Sequence, residues 1–366
     1  MIRDQLPALS GVAYLNTGTN GPLPRAAADA MREELRLSLE QPRIGRASFE
    51  RLIAQREAAR AAAGRVVGAP AQEIALTRST SEGVGLVMSG LDWQPGDEIL
   101  TTTEEHQGVR GPLDVVRRRH GADVREVPAD DLPAAISERT RMVAVSHVLW
   151  TTGRTLDLPA IAERAHAVGA QLLADGAQSA GNIAVDAHAS GADYYTLSGQ
   201  KWLLGPQGSG ALWVSPARTE QMWPVLSNYL GLEKGEVGRF KEGAPRFDPG
   251  SIDPVTVVGF TAAIEWVEGL DGGRAGWVAR TAENAAAARE RLAAVPGVHV
   301  APAHGQPNGL LAFTLEGAGD TEALTARLAE AGVLVRFIPG TPWMRVSVGA
   351  FTSAGDIERL AAGLAA

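Results

Sequence analysis

The sequence predicts an α/β protein, with a mainly parallel sheet in a large domain and a small α+β domain at the C-terminal end. From about residue 48, short apolar segments alternate with amphipathic helical patterns. The apolar segments are continuous, which is typical of parallel strands covered by helices on both faces. After residue 255, a long helical region precedes a run of short strands and helices, which indicates the second domain.

The predicted elements follow in a regular order. The strands of the large sheet are EIALT, DEILTT, RMVAVSHV, QLLADGAQ, YYTL and GALWVS. Helical spacing occurs in SEGVGLVMSGL, GPLDVVRRRHG and DLPAIAERAHAVG, the last with a cap at Thr155 or Asp157 and an end at Gly169. The small domain is predicted from LLAFTLEG, DTEALTARLAEAG, VLVRFI, WMRVSVG and SAGDIERLAAGLAA. We expect an N-terminal arm over 1–25, a large domain over 26–255, and a linking helix with the small domain over 256–366.

Composition excludes several classes of function. The 366 residues are 45% hydrophobic and 21% charged, as in ordinary globular proteins, and no segment approaches the length of a membrane span. A net charge of −8 and the lack of a long basic cluster argue against a nucleic-acid partner. The absence of cysteine excludes disulfides, thiolate metal sites and a cysteine nucleophile. We expect a cytoplasmic protein with no membrane partner and no metal.

Polar side chains follow five predicted strands at the point where each strand ends. In open α/β sheets, ligands gather at the carboxyl ends of the strands. The residues at these ends are Thr77, Ser79, Thr80, Ser81 and Glu82; Glu105 and His106; Trp150, Thr151 and Thr152; Asp175 and Gln178; and Ser198, Gln200 and Lys201. Taken alone, His106 is typical of a structural histidine, Asp175 of a turn cap and Lys201 of a surface lysine. Their convergence on one edge of the sheet predicts a site there.

Residues 79–82 have two interpretations that the sequence leaves open. They fit a capping box, and the hydroxyls and free N–H groups of a helix start also bind phosphate. The glycine-rich GPQGSG is not a P-loop, because its lysine precedes the glycines and no Gly-Lys-Ser/Thr ending follows. A lysine, an upstream aspartate and a phosphate site together indicate pyridoxal phosphate binding. Lys201 would form the imine, Asp175 would keep the pyridine nitrogen protonated, and His106 would stack on the ring.

Three motifs, ADGAQSAG, DYYTLSGQKWLLGPQGSGALWV and MRVSVGAFTSAGDIERL, extend this pattern over nearly the whole chain. In their order and spacing the chain resembles the class V aminotransferase family, which has the aspartate-aminotransferase-like fold type I. The resemblance implies a pyridoxal 5'-phosphate cofactor and a homodimer with a shared active site. For the cofactor ring, it implies Lys201 as the Schiff-base lysine, Asp175 as the pyridine-nitrogen partner, Gln178 as the contact to the ring hydroxyl and His106 as the stacking residue. For the cofactor phosphate, it implies Thr80, Ser81 and Ser198 as ligands, together with Ser251 from the neighbouring subunit. For the substrate, it implies that Arg345 binds the α-carboxylate.

Within the family, a cysteine desulfurase needs a mobile cysteine between two arginine-bearing strands, and the interval from Val335 to Arg345 contains none. Trp150 in place of the usual asparagine, Arg336, and the arm YLNTGTNGPLP with Asn20 resemble the cystine and cysteine C–S lyase branch, grouped with isopenicillin N epimerase-like sequences. This resemblance implies substrate contacts for these residues, although Arg336 equally fits a salt bridge inside the small domain. Gln200 stands where the family commonly has histidine, so it can hydrogen-bond the cofactor phosphate but cannot shuttle a proton.

The resemblance therefore implies a C–S lyase that removes a β-sulfur substituent from cystine, cysteine or an S-conjugate, with Lys201 as general base. A class V aminotransferase is the alternative, and an epimerase or a decarboxylating deaminase would share the same residues. A non-catalytic pyridoxal-phosphate-binding regulatory protein is an alternative from another class, although such proteins generally carry a DNA-binding module.

Overall fold

The structure is a computed structural model that describes residues 2–234 and 236–365. In chain order the strands are β1 (Ala13–Tyr14), β2 (Ile74–Thr77), β3 (Glu98–Thr102), β4 (Asp123–Val127), β5 (Thr140–Ser146), β6 (Gln171–Asp175), β7 (Tyr194–Ser198), β8 (Gly210–Val214), β9 (Val298–Val300), β10 (Leu310–Leu315), β11 (Val333–Leu334), β12 (Arg336–Phe337) and β13 (Met344–Ser347). The α-helices are α1 (Arg25–Glu40), α2 (Arg46–Val67), α3 (Thr80–Gly90), α4 (Gln107–His120), α5 (Leu132–Ala135), α6 (Leu158–Ala167), α7 (Pro254–Glu268), α8 (Gly273–Ala293), α9 (Thr321–Glu330) and α10 (Ala354–Ala365). Within the described residues, no helix has both the length and the apolar character needed to cross a membrane.

Seven strands form the large sheet, in the order β2-β8-β7-β6-β5-β3-β4. The neighbouring pairs from β7 to β4 are parallel, whereas β8 is antiparallel to both β7 and β2. Only residues 199–209 connect β7 to β8, which is too short for the helical crossover that a parallel neighbour requires. The predicted mainly parallel sheet is confirmed, with β8 as its one reversed strand.

Both faces of the large sheet are buried. In β5, Val143 and Val145 join the core on one face, and Met142 and Ala144 join the core on the other. Successive side chains of a strand point to opposite faces, so a continuous apolar segment is needed where both faces are covered. Helices α2, α6 and α7 complete the first core, and α3 and α4 complete the second.

A second, antiparallel sheet lies near the C-terminal end, in the order β12-β13-β10-β9. It shares a core with α8, α9 and α10. Strand β1 of the predicted arm pairs in parallel with β11, and Ala13 and Leu15 are fully buried in this core. The arm is therefore anchored on the small domain over these residues, because its alternate side chains are apolar.

The strands differ from the predictions at β4, at β9, which no predicted element covers, and at the segment VLVRFI. Strand β4, with the sequence DVREV, was not predicted, because its charged residues hide the apolar pattern and it lies at the sheet edge. The segment VLVRFI was expected as one strand, whereas it forms β11 and β12, which belong to different sheets. The domain boundaries stay predictions; α7, predicted as the linking helix, packs against α1 and α2.

Candidate active site

A cavity of about 240 Å³ lies at the edge of the large sheet where its parallel strands end. The predicted residues that line it are Thr80, Ser81, His106, Trp150, Asp175, Gln178, Gln200, Lys201, Arg336 and Arg345. Gly18, Thr19, Ser79, Ser146 and Ala177 complete the lining. The side chains come from the ends of four strands, from the start of α3, from the arm and from the small sheet. The fold thus brings together residues that are up to 327 positions apart, as Gly18 and Arg345 are.

Lys201 is the cation on the large-domain side of the cavity. It lies in the tight turn after β7, where Leu204 has a left-handed φ of 57° and donates its N–H to the Lys201 carbonyl at 3.1 Å. Removal from water lowers the pKa of Lys201 to about 8; the charge of Asp175 opposes this shift, and Arg345 and Arg336 add to it. A lysine with such a pKa has a substantial neutral fraction near neutral pH, and the neutral amine is the nucleophilic and basic form.

Asp175 is the buried carboxylate at the end of β6, only 4% exposed. Its Oδ1 accepts hydrogen bonds from the Ala177 N–H at 2.8 Å and from the Thr196 hydroxyl at 3.4 Å. Burial raises the pKa of Asp175, while the positive charge of Lys201 and these hydrogen bonds act against the rise. A buried carboxylate in this setting is able to hold a cationic ring nitrogen.

The start of α3 provides hydroxyls and free N–H groups. Ser79 caps the helix by accepting the Glu82 N–H on its Oγ at 3.1 Å. The Glu82 carboxylate accepts the Arg78 N–H at 2.6 Å instead of returning to Ser79, so the capping box is incomplete. Thr80 and Ser81 of the first turn lie on the cavity wall. The capping and phosphate interpretations are therefore compatible, since the first turn of a helix leaves N–H groups without helical partners.

His106 provides a flat neutral ring beside the cavity. Its Nδ1 accepts the Gly108 N–H at 3.0 Å as the cap of α4, which leaves the ring proton on Nε2. The pKa of His106 is lowered to about 4, first by shielding from water and then by the charges of Lys201, Arg336 and Arg345. The ring meets Trp150 edge to face, with centroids 5.1 Å apart. An uncharged imidazole is suited to stacking on a cofactor ring.

Gln178 is fixed on two sides. Its Oε1 accepts the Trp202 indole N–H at 2.8 Å, and its Nε2 donates to the Gly18 carbonyl at 2.9 Å. The side-chain amide therefore has a defined orientation, with one further N–H on Nε2 for a ligand.

Arg336 and Arg345 form the cationic side of the cavity. Arg345 is 2% exposed; its Nη1 donates to the Trp150 carbonyl at 3.1 Å and its Nη2 to the Thr19 hydroxyl at 3.0 Å. Burial, with Arg336 adding to it, lowers the pKa of Arg345 to about 9. Among the described residues neither arginine forms an ion pair with a carboxylate, so the salt bridge considered for Arg336 is not observed there. A pair of guanidinium groups without an acidic partner is a site for a carboxylate.

Three residues with predicted cofactor or substrate contacts are not part of the lining, and neither are the strand-end residues Thr77, Glu82, Glu105, Thr151 and Thr152. Ser198 is buried, and its Oγ has no hydrogen-bond partner among the described residues. The backbone carbonyl of Asn20 accepts a hydrogen bond from the Tyr14 hydroxyl at 2.8 Å. The neighbouring residue Thr19 lines the cavity, whereas Asn20 does not. Ser251 is exposed in the loop before α7. The roles predicted for these three residues stay predictions.

The cavity fits the expected cofactor. Buried polar atoms without a hydrogen-bond partner in the described part of the chain occur on four lining residues: the indole nitrogen of Trp150, Oε1 of Gln200, and Nε of Arg336 and of Arg345. Buried polar groups are nearly always hydrogen-bonded, so these atoms suit a polar ligand. The amine, carboxylate, neutral imidazole and hydroxyls on the same walls match pyridoxal phosphate. In the part of the chain that the structure describes, no group of three or more His, Cys, Asp or Glu residues could hold a metal ion.

Comparison with known proteins identifies related sequences. A family profile described as Aminotransferase class-V matches residues 13–360. The cysteine desulfurase CsdA of Escherichia coli is 31% identical over 352 residues, which cover 91% of this chain and 86% of that protein. Isopenicillin N epimerase of Streptomyces clavuligerus is 34% identical over 226 residues, which cover 58% of this chain and 56% of that protein.

Two solved structures of the protein C-DES have the same fold. One, with glycine covalently linked to its PLP cofactor, has a TM-score of 0.94 and 27% identity, and the match covers 99% of this chain and 98% of that one. The other is described as the cystine C–S lyase C-DES with its reaction product cysteine persulfide. It has a TM-score of 0.92 and 28% identity, and the match covers 99% of each chain.

Proposed function

Because the chain belongs to the class V aminotransferase family, we propose that it is a pyridoxal-phosphate-dependent carbon–sulfur lyase. It acts by β-elimination on a sulfur-containing L-amino acid, namely cystine, cysteine or an S-conjugate. The observation that carries this proposal is the composition of one cavity. In it, Lys201 and Asp175 lie with Arg336 and Arg345, which form no ion pair with a carboxylate among the described residues. The predicted family, fold type and cofactor are confirmed.

Residues on the large-domain wall would hold the cofactor. Lys201 would bind it covalently, Asp175 would pair with its ring nitrogen, and the neutral His106 would stack on its ring. The remaining contacts come from Thr80, Ser81, Ser198 and Gln200 to the phosphate, with Gln178 on the ring hydroxyl. Bound pyridoxal phosphate withdraws electrons from the substrate Cα and so makes its proton removable.

The opposite wall would hold the substrate. Arg345 binds the α-carboxylate, and Arg336 binds a second carboxylate such as that of cystine. Trp150 closes the cavity beside His106, with its indole N–H free to donate. Asn20 remains a predicted contact.

Lys201 would move the proton. The amine of Lys201, when not bound to the cofactor, would accept the substrate Cα proton. Its pKa of about 8, lowered by burial, lies close to the operating pH, as efficient proton transfer requires. The Cβ–S bond then breaks and sulfur departs with the bonding electrons. Water converts the remaining three-carbon fragment to pyruvate and ammonia.

The sulfur must leave as a small molecule. The chain has no cysteine, so no persulfide can form on the protein, in contrast to what the desulfurase mechanism requires. Gln200 beside Lys201 has no titratable proton, so the departing sulfur is protonated by another group or leaves as an anion.

Substrate turnover tests the proposed function. Cofactor-loaded protein mixed with L-cystine should release pyruvate, ammonia and a persulfide, and amino-acid/2-oxo-acid pairs should exchange no amino group. If the cofactor instead accumulates as pyridoxamine phosphate and no pyruvate appears, the protein is an aminotransferase and the lyase proposal is wrong.

A homodimer with a shared active site is part of the proposal. Several large apolar side chains are strongly exposed, with Leu39 at 86%, Ile44 at 83%, Tyr229 at 69% and Val237 at 97%. We propose that a second copy covers these side chains, since interfaces bury exposed apolar surface. Ser251 is also exposed, as a residue must be to reach the cofactor phosphate of a second copy.

Subunit complementation tests the shared site. Dimers of Lys201→Ala and dimers of Ser251→Ala should each have low activity. A mixed dimer contains one site with both residues intact, so mixing the variants under exchange conditions should restore up to about half of the wild-type activity. No recovery in a demonstrated mixed dimer would exclude the contribution of Ser251 across the interface.

The domain boundaries near residues 25 and 255 and the cytoplasmic location remain predictions. Limited proteolysis followed by mass spectrometry tests the boundaries. Fractionation of the native cells tests the location.

A further inference from the structure

The hydroxyl of Thr19 lies between the two arginines of the cavity. Its Oγ1 accepts a hydrogen bond from Arg345 Nη2 at 3.0 Å and a longer one from Arg336 Nη1 at 3.4 Å. Guanidinium groups only donate, so the hydroxyl proton must point elsewhere, and it goes to Oδ1 of Asn16 at 2.7 Å. The oxygen of Thr19 therefore presents its lone pairs to both cations at once.

The segment that carries Thr19 is fixed to both domains. We call residues 15–21 the strap. On the small domain, the Leu15 carbonyl accepts the Ser347 N–H at 2.7 Å, two residues from Arg345. On the large domain, the Gly21 N–H donates to the Gln200 carbonyl at 2.7 Å, beside Lys201. Thr19 is thus held in place by contacts on either side of it.

Close packing fixes the strap further. A Cβ at Gly18 would lie 2.7 Å from Ser347 Oγ and 2.9 Å from Gln178 Oε1, so a larger residue would displace these side chains, of which Gln178 is held by two hydrogen bonds. The Thr19 N–H donates to the Asn16 carbonyl at 3.0 Å, which closes a turn around the hydroxyl. The position of the Thr19 oxygen is therefore determined by the backbone and by Asn16.

The hydrogen bonds of Thr19 leave specific donors on the arginines unused. Arg345 employs Nη1 on the Trp150 carbonyl and Nη2 on Thr19, and its buried Nε has no partner. Arg336 employs Nη1 on Thr19, and its buried Nε also has no partner. The two cations repel each other, and a shared acceptor offsets part of that repulsion.

We propose that Thr19 is a positioning residue for substrate recognition: its hydroxyl holds Arg336 and Arg345 in one orientation and leaves their unpaired N–H groups for the substrate carboxylate. This inference rests on the proposed function in so far as the substrate is an amino acid. Thr19 does not contact the reacting atoms, so its effect is on binding rather than on proton transfer or bond cleavage.

The variant Thr19→Val tests the inference in the holoenzyme, because valine keeps the shape of threonine and lacks the hydroxyl. Thr19→Ser retains the hydroxyl and serves as the rescue variant. Thr17→Val is the matched control: Thr17 lies in the same strap, is 1% exposed, and its Oγ1 has no hydrogen-bond partner among the described residues.

Two measurements separate positioning from a merely structural role. Calorimetry with propanoate and with propanamide, which share a shape but differ in charge, should show that Thr19→Val weakens propanoate binding about tenfold and leaves propanamide binding unchanged. Turnover of L-cystine should show KM raised about tenfold with kcat within about twofold. Thr19→Ser and Thr17→Val should both resemble the wild type.

The inference is overturned if Thr19→Val binds propanoate as the wild type does, if Thr19→Ser is as impaired as Thr19→Val, or if Thr17→Val shows the same loss. Its failure is distinguishable from that of the proposed function. Pyruvate release tests the reaction, whereas the propanoate comparison tests the arginine pair even if the chemistry proves to be transamination.

Discussion

Glu105 is a buried carboxyl group next to His106. It is 3% exposed and accepts three hydrogen bonds: from the Thr102 hydroxyl at 2.9 Å, from the Ser146 N–H at 2.9 Å and from the Ser146 hydroxyl at 2.5 Å. Burial raises the pKa of Glu105 to about 7, against the effect of these hydrogen bonds. The contacts join the turn before His106 to the end of β5, so Glu105 helps to place the histidine ring.

Replacing Glu105 with glutamine should change the pH dependence of stability. Because the folded-state pKa is raised, the stability that this group contributes is fully present below about pH 4.5 and is lost as the pH rises through about 7. The loss for the wild type should approach roughly 3 kcal/mol between pH 4.5 and 8. Urea unfolding at pH 5 and pH 8 should therefore show a smaller decrease for Glu105→Gln than for the wild type.

Glutamine preserves the hydrogen-bond pattern at this position, since the Ser146 hydroxyl can accept where it previously donated. Glu104→Gln is the matched control, because Glu104 is only half-buried. Parallel stability curves for wild type and Glu105→Gln over this pH range would contradict the role of burial.

At the residue scale, the sequence could predict which side chains follow the ends of the strands and therefore lie near the site. Lys201, Asp175 and His106 lie in one cavity because parallel strands place their carboxyl ends at one edge. Thr19 could not be predicted, since its contact with Arg345 joins residues 326 positions apart and depends on how the strap folds. The arm motif indicates Asn20, but a sequence motif does not show which of the neighbouring residues Thr19 and Asn20 lines the cavity.

At the scale of elements, the strap and the lysine turn pack backbone against backbone. A Cβ on Gly21 would lie 2.2 Å from the carbonyl oxygen of Lys201 and 2.5 Å from Cδ2 of Leu204. The carbonyl cannot move without moving the lysine turn. Only a residue without a side chain allows this approach.

Gly21→Ala should therefore displace the strap and weaken the cofactor site. We expect a loss of about 1–3 kcal/mol in the free energy of unfolding, measured in urea, together with a lower affinity for pyridoxal phosphate. Gly85→Ala is the control: it lies in α3 with no atom within 4 Å of an added Cβ, and it should be neutral or stabilise by up to about 1 kcal/mol. Equal stability of the two variants would contradict the packing described here.

The sequence predicted most elements but not their pairing. Continuous apolar segments identified β2, β3, β5, β6, β7 and β8, because both faces of these strands are buried. The reversal of β8 depends on the length of one connection, and the pairing of β1 with β11 joins the two ends of the chain. Long-range pairing of short strands leaves little local signal in the sequence.

At the scale of the whole molecule, Asp248 forms hydrogen bonds with segments that are far apart in the sequence. It is 2% exposed and accepts hydrogen bonds from Arg56 at 2.8 Å, from Arg60 at 2.9 and 3.0 Å, and from the Leu76 N–H at 2.8 Å. These contacts join α2 and β2 to the loop that carries Ser251 toward the proposed interface.

Asp248→Asn should strongly destabilise the protein, because it leaves the buried Arg56 without a counter-charge among the described residues and leaves Arg60 only the exposed Glu57, at 3.4 Å. We expect a loss of about 3–5 kcal/mol in urea unfolding. Asp114→Asn makes the same change between Arg117 and Arg118 at an exposed site, and it should cost far less, because water screens exposed ion pairs. Comparable losses in the two variants would show that burial does not decide the effect.

The central claim is that Lys201 holds pyridoxal phosphate in this cavity, and covalent trapping tests it most directly. The lysines of the chain are Lys201, Lys234 and Lys241, of which Lys234 is exposed and Lys241 half-buried. Holoenzyme reduced with sodium borohydride and digested should carry the cofactor mass on the peptide that contains Lys201. Finding the mass on Lys234 or Lys241, or on no lysine of a protein that retains the cofactor, would contradict the account.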